Sequence, residues 1–159
     1  MQPKLYDLTT LQREANRFFG YTAQETLQEL QELYEDKLVT YPRTDSQYIT
    51  EDMEQSTMEL LEVLPEILPF LEGNMGYDVG RIINNDKVSD HHALLPTKES
   101  VKKGFSQLTE KQRNLYCMIG QRLAQAVSKE CTYEETQITV QCAGHEFMAK
   151  GKRMTDYGF

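Results

Sequence analysis

LTTLQREANRFFGYTAQETLQELQELYEDK (residues 8–37) carries two helix signatures on either side of one glycine. Thr9 with Gln12 has the spacing of a capping box, and Gly20 is a good helix stop. Leu8, Leu11, Ala15 and Phe18/Phe19 fall on one face of that first helix. Thr22 with Glu25 repeats the capping signature two residues past the glycine. Ala23, Leu27, Leu30 and Tyr34 then follow a helical period. Two capped helices around a Gly turn imply a helix-turn-helix-like pair, a unit shared by many helical proteins that never touch DNA.

Downstream, Leu38–Tyr41 is short and β-prone and is stopped by Pro42, so Tyr41 is expected at an element's end, entering a loop. Thr50 is placed to cap a third helix whose face is Met53, Thr57, Leu60 and Leu64, with Pro65 and Pro69 breaking the pattern. Residues 73–107 read as loop-rich. Thr109 and Gln112 cap a further helix to about Lys129, with Leu115, Ile119, Leu123 and Ala126 inward. The tail alternates: Thr136, Ile138, Val140 and Cys142 share one side, Ala143-Gly144 gives a turn, and HEFMAK returns. A β-hairpin over 132–150 follows, then a basic Gly-containing turn at 151–153. Two strands alone are marginal, so the hairpin is expected either to pack on the helices or to join a sheet completed elsewhere. The fold class is mainly α with a small C-terminal β-hairpin (α+β). The expected division is 1–131 helical and 132–159 hairpin, and the abrupt stop at TDYGF suggests a piece of something longer.

Composition narrows the classes. With 159 residues, 39% hydrophobic and 26% charged, the chain is ordinary globular material. The net charge of −8 argues against a generic nucleic-acid binder. The acidity is local, however. Residues 50–72 hold Glu51, Asp52, Glu54, Glu59, Glu62, Glu66 and Glu72 without a Lys or Arg, as a solvated helix face would. The rest of the chain is near neutral and leaves the surface around Tyr41 unconstrained. Cys117, Cys131 and Cys142 form no disulfide framework and no zinc spacing. No apolar run of 18 residues could span a bilayer. A soluble protein of a reducing compartment, with no membrane partner, is the expectation.

The chemistry concentrates in LVTYPRTDSQY, residues 38–48. A free tyrosine ionises near pH 10, at about that value, so a nucleophilic phenol needs help. A nearby cation favours the phenolate and can neutralise a charged electrophile. Arg43 stands two residues from Tyr41, and in extended chain those side chains point the same way. A guanidinium forks onto phosphate oxygens, and an aromatic ring can stack on a nucleobase. Most Tyr-x-Arg triplets are nonetheless a half-buried ring and a surface charge. The second clue is SDHHALLPT, residues 89–97, where a histidine could donate to a phosphate oxygen or leaving group. No Cys or third His lies at ligand spacing to make these histidines zinc ligands.

Taken together, residues 8–49, the loop DHHALLPT and the tail HEFMAKGKRMTDYGF resemble the active-site region of type IA DNA topoisomerases. The resemblance runs in one order over nearly the whole chain. The YPRTDS form and the doubled His are more similar to bacterial topoisomerase III than to topoisomerase I. The resemblance implies that Tyr41 is the nucleophile, becoming linked to a 5′-phosphate while one strand is cut, another is passed and the break is resealed. It implies that Arg43 positions the phosphate and that His91 contacts it. Thr44, Asp45, Ser46 and His92 complete the expected DNA-binding residues, the first three also shaping the loop. It implies a catabolite-activator-like helical unit with Tyr41 exposed toward a partner domain. Mg2+ belongs to the full-length enzyme, through carboxylates of a toprim domain that this chain lacks, so no metal is expected on these residues. The implied partners are single-stranded DNA and the toprim and arch domains of the same polypeptide, in the cytoplasm. Alone, the chain is expected to be inactive and a weak, salt-sensitive DNA binder. The competing reading is a non-catalytic helical adaptor or DNA-binding module, which would need neither the tyrosine motif nor the histidine loop. Reverse gyrase, which shares the same domain, is a third.

Overall fold

The computed structural model describes residues 3–71, 76–103, 105, 107–129 and 132–156. Among the described residues, five α-helices precede a single antiparallel hairpin: α1 Leu8–Phe19, α2 Ala23–Glu35, α3 Glu54–Val63, α4 Lys98–Lys103, α5 Glu110–Val127, β1 Thr132–Cys142 and β2 His145–Asp156. The mainly α arrangement with a terminal hairpin is therefore as expected.

α1 starts two residues earlier than the Thr9–Gln12 box implies. Asp7 is the N-cap, its Oδ1 accepting from the Thr10 amide at 2.6 Å. The preceding Tyr6 is already paired with Leu94 as an antiparallel bridge, so Asp7 is the last extended residue. Gln12 serves elsewhere, its amide donating to the Ala23 carbonyl at 2.9 Å and tying α1 to the start of α2. Gly20 ends α1 in the left-handed region (φ 73°), a conformation that disfavours any Cβ. Leu11 and Ala15 are buried as expected, but Phe18 and Phe19 are exposed, because the helix outruns the core by a turn.

α2 carries the full capping box, with Thr22 and Glu25 satisfying each other's backbone amides. Its buried face is Thr26, Leu30 and Leu33, rotated from the expected Ala23–Leu27–Leu30–Tyr34 stripe. Tyr34 is left at the surface for another contact. Thr50 precedes a 3-10 turn, Glu51–Met53, without a side-chain cap bond. Asn85 instead accepts from the Glu51 amide at 2.9 Å, and α3 begins only at Glu54. The acidic residues of 51–66 lie on the solvent side. Pro65 and Pro69 each sit in a 3-10 turn that bends the chain after α3.

The stretch expected as loop is more ordered than its composition suggests. It holds 3-10 turns at Val79–Ile82 and Asn85–Lys87 and the short helix α4; Gly73, Asn74 and Met75 lie outside the described residues. α5 is the central helix. Its Thr109–Gln112 capping box forms, and Leu115, Ile119, Leu123 and Ala126 are buried as read. It stops at Val127 rather than near Lys129, where the Ser128 hydroxyl turns back to the Ala124 carbonyl at 2.5 Å. Gly120 lets Leu68 approach, since a Cβ there would sit 2.4 Å from the Leu68 methyl. α5 is also pinned at its flanks. Gln112 donates to Glu32 at 2.8 Å, Lys111 pairs with Glu25 at 2.9 Å, and Arg122 donates to both Tyr6 and Glu14.

The hairpin turns at Ala143-Gly144, both with positive φ (49° and 81°), as a tight two-residue turn requires. The ladder does not end at 150. Gly151 pairs with Thr136, Lys152 with Glu135 and Arg153 with Glu134, and these cross-strand opposite charges carry the strand through the expected basic turn. Residues 132–155 are all exposed, so the hairpin does not pack on the helices. Ile138, Val140 and Phe147 share one uncovered face. Cys131 lies outside the described residues. No helix among the described residues is long and apolar enough to cross a membrane.

Candidate active site

The end of α2 aims the tyrosine segment. Lys37 adopts the left-handed conformation (φ 62°) after the Asp36 C-cap. The Lys37 amide donates to the Tyr34 carbonyl and the Leu38 amide to the Leu33 carbonyl, both at 2.8 Å. This is a Schellman termination built without glycine. It sends Leu38–Thr40 across the domain instead of onward along the helix axis.

Residues 38–44 are then stitched to the histidine loop. Val39 pairs with Pro96 as an antiparallel bridge, and the Thr40 amide donates to the Leu95 carbonyl at 2.9 Å. The Thr40 hydroxyl accepts from the Leu95 amide at 2.9 Å and donates to the Ala93 carbonyl at 3.3 Å. The Thr44 hydroxyl donates to the His91 carbonyl at 3.1 Å. A third segment joins from the N-terminal side: the Leu8 amide donates to the Thr44 carbonyl at 3.0 Å and the Leu94 amide to the Tyr6 carbonyl at 2.9 Å. Three stretches remote in sequence thus meet at one place, with Tyr41 and Arg43 between the two threonine clamps.

Burial alternates through this segment. Pro42, Thr44 and Ser46 are buried, while Arg43 and Asp45 are exposed and Tyr41 is half-buried. Such a period of two is that of extended chain, so Tyr41 and Arg43 do share the outer side. The Tyr41 ring lies between two others. His91 is tilted against it with centroids 4.2 Å apart, and Tyr34 meets it edge-on at 5.5 Å. Arg43 and His91 line one open pocket of about 460 Å3 with Asp7, Leu8, Thr9, Thr44, Asp45, Ser89 and Asp90. A slightly larger cavity, about 520 Å3, lies away from these residues beneath Phe18 and Phe19.

The structure therefore brings Tyr41, Arg43 and His91 together and treats the other named residues unequally. Asp45 faces the pocket. Thr44 and Ser46 turn inward: the Ser46 hydroxyl donates to the Lys87 carbonyl at 2.8 Å and accepts from the Tyr48 amide at 3.1 Å. Both are spent on holding the loops. His92 is half-buried, and its Nδ1 donates to the Ala93 carbonyl at 2.8 Å. Sequence reasoning missed Tyr34 and Thr40 at the site. By helical period Tyr34 falls on the apolar stripe of α2, and nothing local marks Thr40 as a clamp. The pocket carries three carboxylates, Asp7, Asp45 and Asp90, against one guanidinium. Among the described residues no group of three or more His, Cys, Asp or Glu could hold a metal ion.

Sequence comparison decides what kind of protein carries this arrangement. The family model for DNA topoisomerase matches residues 1–159. This chain belongs to the DNA topoisomerase family. It is a type IA, topoisomerase III-like sequence. It is 40% identical over 169 residues to DNA topoisomerase 3 of Bacillus subtilis, covering 99% of this chain and 22% of that protein. It is 41% identical over 164 residues to DNA topoisomerase 3 of Bacillus licheniformis, with the same coverage of 99% and 22%. The chain thus spans about a fifth of the length of these curated relatives. In solved structures it is similar to full-length topoisomerase I from Thermotoga maritima, with a TM-score of 0.67 and 25% identity over 98% of this chain and 25% of that one.

Proposed function

We propose that this chain is the tyrosine-bearing part of a type IA topoisomerase that cuts one DNA strand through a 5′-phosphotyrosine link and reseals it. The Tyr41 oxygen attacks a phosphodiester phosphorus, forming a P–O bond as the bond to the 3′-oxygen breaks. The phenol gives up its proton and the departing 3′-oxygen gains one as a hydroxyl. The same hydroxyl attacks the phosphotyrosine to reseal, and the phenol is regenerated. Arg43 forks onto non-bridging phosphate oxygens, and His91 contacts the same phosphate from the other side of the pocket. Thr40 and Thr44 hold the two loops in register, and Asp45 and His92 lie at the margin of the DNA path. The α1–α2 pair serves as a helix-turn-helix-like mount for the tyrosine.

The observation that carries this reading is the meeting of Tyr41 with His91 beside a pocket that Arg43 shares. An adaptor module would need no such meeting. Mg2+ in the full-length enzyme is assigned, on the resemblance to type IA enzymes, to carboxylates of a toprim domain. The division at residue 131, with the exposed hairpin continuing into an arch domain of the same cytoplasmic polypeptide, is part of the same proposal. Tyr41→Phe in the full-length protein should abolish the covalent DNA adduct while DNA binding persists. Unaltered cleavage would exclude Tyr41 as nucleophile. The 159-residue chain alone, given supercoiled plasmid and Mg2+, should leave the linking number unchanged.

A further inference from the structure

Lys4 and Lys87 come from segments far apart in the chain, yet both ammonium groups sit over one ring, that of Tyr48, at 5.4 and 5.1 Å from its centroid. Neither lysine takes part in an ion pair among the described residues. Two like charges converging without a carboxylate repel each other. A ring accounts for only part of the compensation, at about 0.5–1 kcal/mol for each exposed cation–π contact. The backbones that carry the cluster are fixed. Ser46 bonds both the Tyr48 amide and the Lys87 carbonyl, and the Ala93 amide donates to the Tyr48 carbonyl at 2.9 Å. Arg122 donates to the Lys4 carbonyl at 3.3 Å. The convergence is therefore built by the fold.

We infer that Lys4, Lys87 and Tyr48 form a second phosphate contact for single-stranded DNA, with the two ammoniums on a phosphodiester and the ring available to an adjoining base. The inference rests on the DNA-cleaving reading of Tyr41 and extends it along the same chain. Arg43 and Tyr48 are five residues apart, so their Cα atoms are separated by at most about 18 Å, a spacing of a few nucleotides. The need for such a contact is electrostatic. The pocket around Arg43 holds Asp7, Asp45 and Asp90, and one guanidinium does not offset them. A strand held there needs cations beside the pocket. Hydrogen bonding from Lys4, with Lys87 close by, holds the Tyr48 phenol below its ordinary ionisation range, consistent with a cationic locale.

The test is single-stranded oligonucleotide binding by the full-length protein as a function of salt. Lys4→Ala with Lys87→Ala should weaken binding and make the log–log salt slope shallower by about 0.7, the value for one lost phosphate contact on a single strand. Lys4→Arg with Lys87→Arg should restore most of the slope. Lys102→Ala with Lys103→Ala, on α4, is the matched control and should not change it. An unchanged slope in the double alanine variant would overturn the inference, as would inorganic phosphate binding to the wild type but not to that variant at concentrations comparable to the oligonucleotide. The Tyr41–DNA adduct is read in parallel. An adduct with no slope change rejects the lysine site alone. A slope change with no wild-type adduct rejects the cleavage reading and leaves the lysine site standing.

Discussion

The rings of Tyr41 and His91 lie with centroids 4.2 Å apart and planes inclined at 39°, joining the end of the tyrosine segment to a loop that returns from beyond α3. The contact is ring against ring, and it places the imidazole beside the phenol that we propose attacks phosphate. Removing the imidazole should therefore slow the chemistry without removing the DNA. We expect His91→Ala in the full-length protein to lower the rate of Tyr41–DNA adduct formation on the order of 10²–10³-fold, the usual range for losing one donor to a reacting oxyanion. The check is an end-labelled oligonucleotide assay at saturating DNA. A wild-type rate would remove His91 from the reaction.

Tyr34 touches Tyr41 edge-on at 5.5 Å, by its ring. Aromatic pairs of this kind contribute about 0.5–1.5 kcal/mol, so Tyr34→Ala should slow adduct formation roughly 2- to 10-fold. Tyr34→Phe keeps the ring and should stay within about twofold of wild type. Equal defects in the two variants would mean that the hydroxyl, not the ring, matters.

Thr40 is a clamp with both hydroxyl functions in use, accepting from the Leu95 amide and donating to the Ala93 carbonyl. Thr40→Val keeps the shape and strands two backbone groups, a loss of about 1–3 kcal/mol. Thr40→Ser should recover most of it. Urea unfolding of the 159-residue chain measures both. A valine variant as stable as wild type would show that water satisfies those groups.

Glu25 gives a pH prediction. Its carboxyl is held down to about 2, from an ordinary 4.5, first by the Thr22 amide and then by Lys111. A depressed carboxylate contributes stability that is complete above its unfolded value and is lost as pH falls through its folded value. The melting-temperature gap between wild type and Glu25→Gln should be constant above about pH 4.5 and close as pH falls toward about 2. A gap unchanged down to pH 2 would contradict the assignment.

Capping boxes were legible where no upstream residue competes for the same amides. Thr22–Glu25 and Thr109–Gln112 form as written because each satisfies amides within one turn. The Thr9–Gln12 pair had the same spacing and failed, because Tyr6 is held extended against Leu94 and Asp7 reaches the Thr10 amide first. α4 was hidden because a six-residue helix has too few turns to show a period and is stabilised by its contacts. The extra length of β2 depended on Glu134 and Glu135 standing opposite Arg153 and Lys152, a register that only pairing reveals.

The starts of α2 and α5, the αL stop at Gly20, the inward faces of α3 and α5 and the outward pairing of Tyr41 with Arg43 belong to the sequence itself. Each depends on residues within one or two turns, where backbone geometry alone sets direction. Tertiary structure alone decided that His91 and Tyr34 flank the Tyr41 ring, that Thr40 and Thr44 clamp the two loops, and that Lys4 and Lys87 converge on Tyr48. Those meetings require the chain to return over long loops, and what holds the returns in place is backbone hydrogen bonding between remote segments, which no local pattern encodes.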